Sequence, residues 1–195
     1  MTSKVQMILG TRYYLLQLMH KHDQPMLLLD GLVKGQNSAL LDPSGTVPFA
    51  APMRGTVLAH NGVQPKEGFA HVMYFKLSKD DAPIFAAEAK KLVEQADRLS
   101  GLEGMWLLQT ESKVIEYVLL SFWQERLDVF AAKGTPLFAK VLPFAKVASH
   151  GLGFHEAAYS ISDPNKPEPD PADENAKPDK RPVTLTDLFR KAPTA

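Results

Sequence analysis

The sequence predicts an α+β fold: a four-stranded antiparallel sheet with two helices on one face, preceded by a β-rich segment. Three observations carry this. Between residues 68 and 161, strand-like alternation and helix-like spacing follow each other in the order β-α-β-β-α-β. One apolar stripe, Phe85, Ala89, Leu92, Ala96 and Leu99, steps by four and three residues, as a helix lying on a sheet requires. Before residue 68, short apolar runs broken by turn residues leave little room for helix.

In residues 1–67, Arg12–Met19 (RYYLLQLM), Met26–Asp30 and Ser38–Asp42 are strand candidates. The last is closed by Asp-Pro-Ser-Gly, a strong turn signal. Arg54–His60 runs into a second turn signal, Asn61-Gly62, although Pro52–Ala59 also reads as one or two helical turns.

In the second half, Phe69–Leu77 is a strand with Phe69, His71, Met73, Phe75 and Leu77 on one face. Asp81 is placed to cap a helix with Pro83 in its first turn, and Gly101 to end it. Met105–Thr110 and Ile115–Trp123, joined by a short polar turn, form an antiparallel hairpin. Gln124–Ala132 is helical, and Pro136–Val147 resumes the pattern until Pro143 kinks or ends it. Leu152–Ile161 closes the series. Right-handed crossovers then give the ferredoxin-like arrangement, one sheet with both helices on one side. Its other face is apolar too and needs a cover. The rows Ile115, Tyr117, Leu119, Trp123 and Phe69, Met73, Phe75 are placed on that open side, with residues 1–67 as the roof.

Residues 162–181 hold prolines and charges with almost nothing apolar, so they are expected to be extended or disordered. Val183–Arg190 is a short amphipathic coda. Three regions result: 1–67, completing a barrel; 68–161, the β-α-β-β-α-β domain; and 162–195, a tail. The two β-rich halves leave room for a diverged structural duplication.

Composition narrows the function. The chain's 22 Lys and Arg balance 22 Asp and Glu, so no global field draws it to nucleic acid or anionic membrane. It has no cysteine, which removes disulfides, thiolate metal sites and a thiol nucleophile. No stretch approaches a membrane span and no leader is visible, so the cytoplasm is the expected address. No phosphate-binding glycine loop or nucleophile elbow is present. His20 and His22 share one face of an extended segment but read as a solvated surface at a turn, so no metal site is assigned.

The segments Gly101-Leu-Glu-Gly-Met-Trp-Leu-Leu-Gln-Thr, Leu119-Leu-Ser-Phe-Trp-Gln and Thr135-Pro-Leu-Phe138 resemble the antibiotic-biosynthesis-monooxygenase domain, especially its Isd-type haem-degrading branch. Gly10-Thr-Arg-Tyr-Tyr, residues 38–45 and Ala51-Pro-Met-Arg-Gly-Thr-Val-Leu resemble the extended, TRAP-like members of that group. The resemblance covers roughly residues 8–161. It implies a barrel of the dimeric α/β type, closed by a homodimer or by an internal pseudo-dimer, with a hydrophobic pocket for haem or a flat aromatic substrate. The haem-degrading branch uses a first-strand asparagine, a tryptophan ending the third strand and an axial histidine on the next helix. The tryptophan carries over as Trp123, whereas the asparagine falls at Met73 and the histidine at Leu142.

Leucine cannot ligate iron, so His71, His150 and His155 are the imidazoles available to a ligand. For each, a hydrogen-bonded or solvent-facing histidine is the plainer reading. Trp123 either presses on a flat ligand or is one more core side chain. The expected function is therefore monooxygenase-like, with haem admitted as substrate or ligand and no cofactor assigned. The alternative is a catalytically inactive binding or regulatory protein on the same fold.

Overall fold

Strands and short helices succeed each other in the computed structural model, which describes residues 3–33, 35–150 and 153–165; the side chains of Ser149 and His150 fall outside that description. In β1 (Lys4–Gly10), Val5 and Met7 are buried. Helix α1 (Arg12–Met19) follows where the residue run predicted a strand. Thr11 explains the difference: its hydroxyl accepts the Tyr14 N–H and caps the first turn. Leu15, Leu18 and Met19, spaced by three and four, then pack on Leu28 and Leu40.

Strands β2 (Leu27–Gly31) and β3 (Ser38–Asp42) match the expected runs. β4 (Met53–Gly62) is a long strand, not helical turns. Asn61-Gly62 is likewise no turn, because Asn61 and Gly62 pair with Met105 and Gly104. Gly62 has φ 74° and lies so close to the Glu103 carbonyl that a Cβ would collide with it.

The second half is β5 (Gly68–Lys76), α2 (Asp81–Glu94), β6 (Leu102–Thr110), β7 (Glu116–Trp123), α3 (Arg126–Lys133), α4 (Pro143–His150) and β8 (Phe154–Ser162). Asp81 is the first helical residue of α2, not its cap; the Ser78 hydroxyl accepts the Asp81 N–H and donates to its carboxylate. A separate 3₁₀ turn, Ala96–Arg98, follows α2, so Gly101 (φ 73°) turns the chain into β6 and does not cap the helix. Pro143 ends one helical stretch by starting α4, where its missing N–H costs nothing.

Eight strands close a barrel in the order β1-β3-β2-β8-β5-β7-β6-β4, every pairing antiparallel. Each half has the same internal order, β4-β1-β3-β2 and β8-β5-β7-β6. The ferredoxin-like sheet is thus present twice, and the chain's own N-terminal strands close the barrel. Its interior is packed with side chains from both halves, including Val5, Met7, Leu41, Val72, Leu120 and Phe122. Among the described residues no helix is long and apolar enough to cross a membrane. The expectations for residues beyond Asn165 fall outside the described residues.

The halves meet along two seams. Gly55–Gly62 pairs with Gly104–Thr110, whereas the β2–β8 seam joins only Leu28–Gly31 to Tyr159–Ser162. Asp30 reinforces this shorter seam. One carboxylate oxygen accepts from Ser162 Oγ at 2.6 Å and Arg12 Nε at 3.0 Å, the other from Ser38 Oγ at 2.9 Å. Arg12 is only 9% exposed in its side chain, and removing one carboxylate that a nearly buried cation and two hydroxyls donate to costs several kcal/mol. Asp30→Ala is therefore expected to lower unfolding stability in urea by about 3 kcal/mol. It should also speed amide exchange in β2 and in Tyr159–Ser162 more than in β4 and β6. An unchanged urea midpoint would show that Asp30 does not hold the seam.

Candidate functional site

In β5 and β7, alternate residues face opposite ways. Ala70, Val72, Tyr74, Val118, Leu120 and Phe122 point into the barrel. Phe69, Met73, Phe75, Tyr117, Leu119 and Trp123 point outward under the helices. The second row is the one expected on the open side. Both rows are apolar, so alternation separates them without telling which lies beneath the helices.

Trp123 is 0% exposed and Met73 1%, so no water-sized space borders the tryptophan. Val129, Phe138 and Val141 belong to the same packed cluster, and Leu142 lies against it. Phe85 of α2 fills the adjoining space, with ring centroids 4.5 Å from Phe75 and 5.3 Å from Tyr117. Of the three positions the resemblance points to, Trp123, which carries over, and Met73, which replaces the asparagine, thus share a solid core, with Leu142 at its margin. Trp123 Nε1 donates to Ser121 Oγ at 2.8 Å, and that hydroxyl donates to the His71 carbonyl at 3.2 Å. The indole thereby pins the backbone of His71.

His71 opens onto a cleft between α3 and the outer surface of β5 and β8. The cleft holds about 160 Å³ and is lined by Phe69, Val129 and Phe130, by Arg126, Lys133 and Glu156, and by Ala157 and Ala158. Pairing brings Glu156 opposite Met73 and Ala158 opposite His71, so Glu156 projects on the same face two residues along. His71 Nε2 lies 2.8 Å from Glu156 Oε2, and Lys133 Nζ lies 2.5 Å from the same oxygen.

Burial alone would push Glu156 up, but hydrogen bonds from His71 and Lys133 outweigh it and hold its carboxyl at about 2. Burial pushes His71 below its ordinary value; the Glu156 hydrogen bond pulls the other way, and Lys133 adds to the downward push. The net result is a neutral imidazole beside an ionised carboxylate. An ionised carboxylate only accepts, so Nε2 carries the His71 proton and Nδ1 carries the lone pair.

The remaining expected residues lie elsewhere. His155 projects from the opposite face of β8 and stacks on Tyr74, centroids 4.1 Å apart and planes 9° from parallel. Both border a second cavity of about 430 Å³ at the barrel mouth with Leu9, Val33, Gln36, Asn37 and Tyr159. His150 ends α4, and its side chain lies outside the described residues. Arg126, Lys133 and Glu156 did not emerge as site residues from the sequence. The available signal was slight: a carboxylate between Phe154 and Ala158 on one strand face, beneath a helix ending in lysine. Among the described residues, no three His, Cys, Asp or Glu side chains gather as a metal site.

The sequence matches no protein-family profile and no curated protein significantly. Solved structures do share the barrel. A ferredoxin-fold protein related to antibiotic biosynthesis monooxygenases, from Listeria monocytogenes, superposes with TM-score 0.73 at 24% identity, over 83% of this chain and 95% of that one. A haem-degrading enzyme from the same species gives TM-score 0.70 at 21% identity, over 82% and 100%. A major regulator of staphylococcal pathogenesis gives TM-score 0.69 at 16% identity, over 83% and 100%. At these identities what is shared is the fold, and proteins of quite different description carry it.

Two outcomes follow from the charges. His71 and Glu156 both have folded pKa values below the ordinary ones, so each stabilises the fold at higher pH and loses that contribution on acidification. Stability should begin to fall below pH 6.5 through His71, and further between 4.5 and about 2 through Glu156. Asp42 is also held low: burial raises it, but hydrogen bonds from Ser44, Gln6 and Val47 prevail, so it adds to the acid limb. Urea midpoints across this range should fall less steeply in Glu156→Gln. Lys133→Met should raise the His71 pKa, followed by imidazole NMR, because an unbalanced carboxylate then favours the imidazolium. A pKa that stays put or drops would contradict the shared-oxygen geometry.

Proposed function

We propose that this chain is a monooxygenase-like barrel protein that binds a small, flat, aromatic anion in the cleft between α3 and β8. The carrying observation is the cleft's mixed lining. Phe69, Val129 and Phe130 supply apolar walls, while two cations, Arg126 and Lys133, outnumber the single carboxylate of Glu156. With His71 neutral, the lining carries one net positive charge. Apolar walls with a few convergent polar groups are the usual make-up of a small-molecule site. Its volume of about 160 Å³ lies below the ~300 Å³ at which such pockets usually begin, which suits one ring better than a macrocycle.

Haem, which the fold resemblance brings to mind, does not fit the tryptophan site. The position at which the resemblance would put the axial ligand is Leu142, which has no donor. Met73 and Trp123 are packed without free space beside them. This favours a binding protein that keeps the barrel without the haem-degrading machinery, and it assigns no iron chemistry to these residues.

Benzoate is a suitable probe, with one ring and one negative charge. It should perturb amide signals of α3 and of Glu156–Ala158, and substituting both Arg126→Ala and Lys133→Met should weaken its binding at least tenfold. Haemin should give no Soret change characteristic of ligated haem. If benzoate perturbs nothing at concentrations up to roughly 10 mM, beyond the weak end of specific binding, the cleft is not this site.

A further inference from the structure

We propose that His71 is a base, taking the O–H proton of a hydroxylated aromatic ligand in this cleft. The inference rests on the cleft being a ligand site and names the class of ligand: a phenol. The His71 side chain is 7% exposed and lines the cavity. Its Nε2 is committed to Glu156 at 2.8 Å, so Nδ1 is the nitrogen left to serve a ligand. A carboxylate holding the far N–H fixes the tautomer and stabilises the imidazolium formed when a proton arrives.

The neighbours are arranged for both states. Before transfer, Glu156 is balanced by Lys133 Nζ at 2.5 Å, which leaves the imidazole no strong reason to be charged. After transfer the ligand O–H bond is broken, the Nδ1–H bond is formed, and the phenolate oxygen bears the charge. Arg126 and Lys133 on α3 are the cations facing that oxygen, and Glu156 on β8 is the anion facing the imidazolium. Net charge does not change and no electron moves, so no oxidant or other reactant is needed.

The backbone supports the same role. Strand pairing holds His71 between Ser121 of β7 and Ala158 of β8. The Trp123–Ser121 relay reaches the His71 carbonyl, so Trp123 is a positioning residue for the base and touches no ligand itself. A base at a ligand site must keep its geometry through the reaction, and a buried, fully hydrogen-bonded relay provides that.

The test uses 4-nitrophenol, whose phenolate absorbs visible light and whose phenol does not. At saturation of the full-length protein, the bound probe should ionise at least tenfold more readily than the free one, a shift of about one pKa unit. In His71→Gln at saturation that shift should be clearly smaller, only the part owed to the cations Arg126 and Lys133 remaining. In the wild-type protein, the ¹⁵N signals of the His71 ring should move to imidazolium values with 4-nitrophenol and stay neutral with benzoate. Ionised probe beside a neutral His71, or an equal shift in His71→Gln, would overturn the base while leaving the cleft standing. Failure of benzoate and 4-nitrophenol alike to bind would remove the cleft itself.

Discussion

An eight-stranded sheet closed on itself has room inside for little more than its own side chains, and this constraint arranges the rest of the molecule. Val5, Met7, Leu29, Leu41, Val72, Val118, Leu120 and Phe122 fill the interior from both halves. A ligand must therefore be met on the outer surface or at a mouth. The outer surface of β5, β7 and β8 is covered by α2, α3 and α4, so accessible space survives only where a helix stands off from the sheet. Beside α3 it does. Glu156 and His71 interrupt an otherwise apolar row there, and neither can be covered by a greasy helix face without a charged partner. Lys133 supplies that partner from the last turn of α3.

The arrangement around Glu156 shows how one oxygen atom controls two groups. A lone carboxylate beside a buried imidazole would draw a proton onto it and form an ion pair. With an ammonium already on the same oxygen, the imidazole gains less by charging, and desolvation prevails. Glu156 is thus kept ionised and His71 neutral near pH 7, in a pocket with further positive charge from Arg126. The two pKa values are pushed in the same direction by different causes: hydrogen bonds for the carboxyl, burial for the ring. Acidity is what unsettles this state, and it acts on the ring first.

Much of the architecture was legible because apolar periodicity survives in nearly every element of the second half. The α2 stripe from Phe85 to Leu92, the hairpin into Trp123 and the break at Pro143 stand as the pattern implies, although α2 ends before Ala96 and Leu99. The first half was harder. Arg12–Met19 carries apolar residues at almost every position, so neither period dominates; the Thr11 cap and the packing of Leu15, Leu18 and Met19 on Leu28 and Leu40 favour helix. β1 was missed because Lys4–Gly10 mixes polar and apolar residues without strict alternation: Gln6 is buried, held by Asp42 Oδ2 at 2.9 Å and by the Val47 carbonyl at 2.5 Å. Its polarity reports that network and not exposure. The site was less legible still. His71 was visible as a candidate, but its partners come from residues 62 and 85 positions away, and no local pattern announces a contact made only when β8 joins β5.

The duplication explains why the candidate site occurs once. Both halves have the same strand order, but they cross from third strand to fourth differently. In the first half, β3 passes to β4 through a loop organised on Asp42, whose carboxylate accepts from Ser44 and from the Val47 N–H at 2.9 Å. Val47 and Phe49 then pack onto Leu28, Leu40 and Leu15. That loop lies directly on the sheet as a plug. In the second half the same crossover is long enough for α3 and α4, and a helix spans its sheet more stiffly than a loop can follow it. The gap left beneath α3 is what His71, Glu156 and Lys133 occupy. A fold built twice from one plan thus has a sealed outer surface on one half and a charged, partly open one on the other, and the candidate site lies on the half whose second crossover is helical.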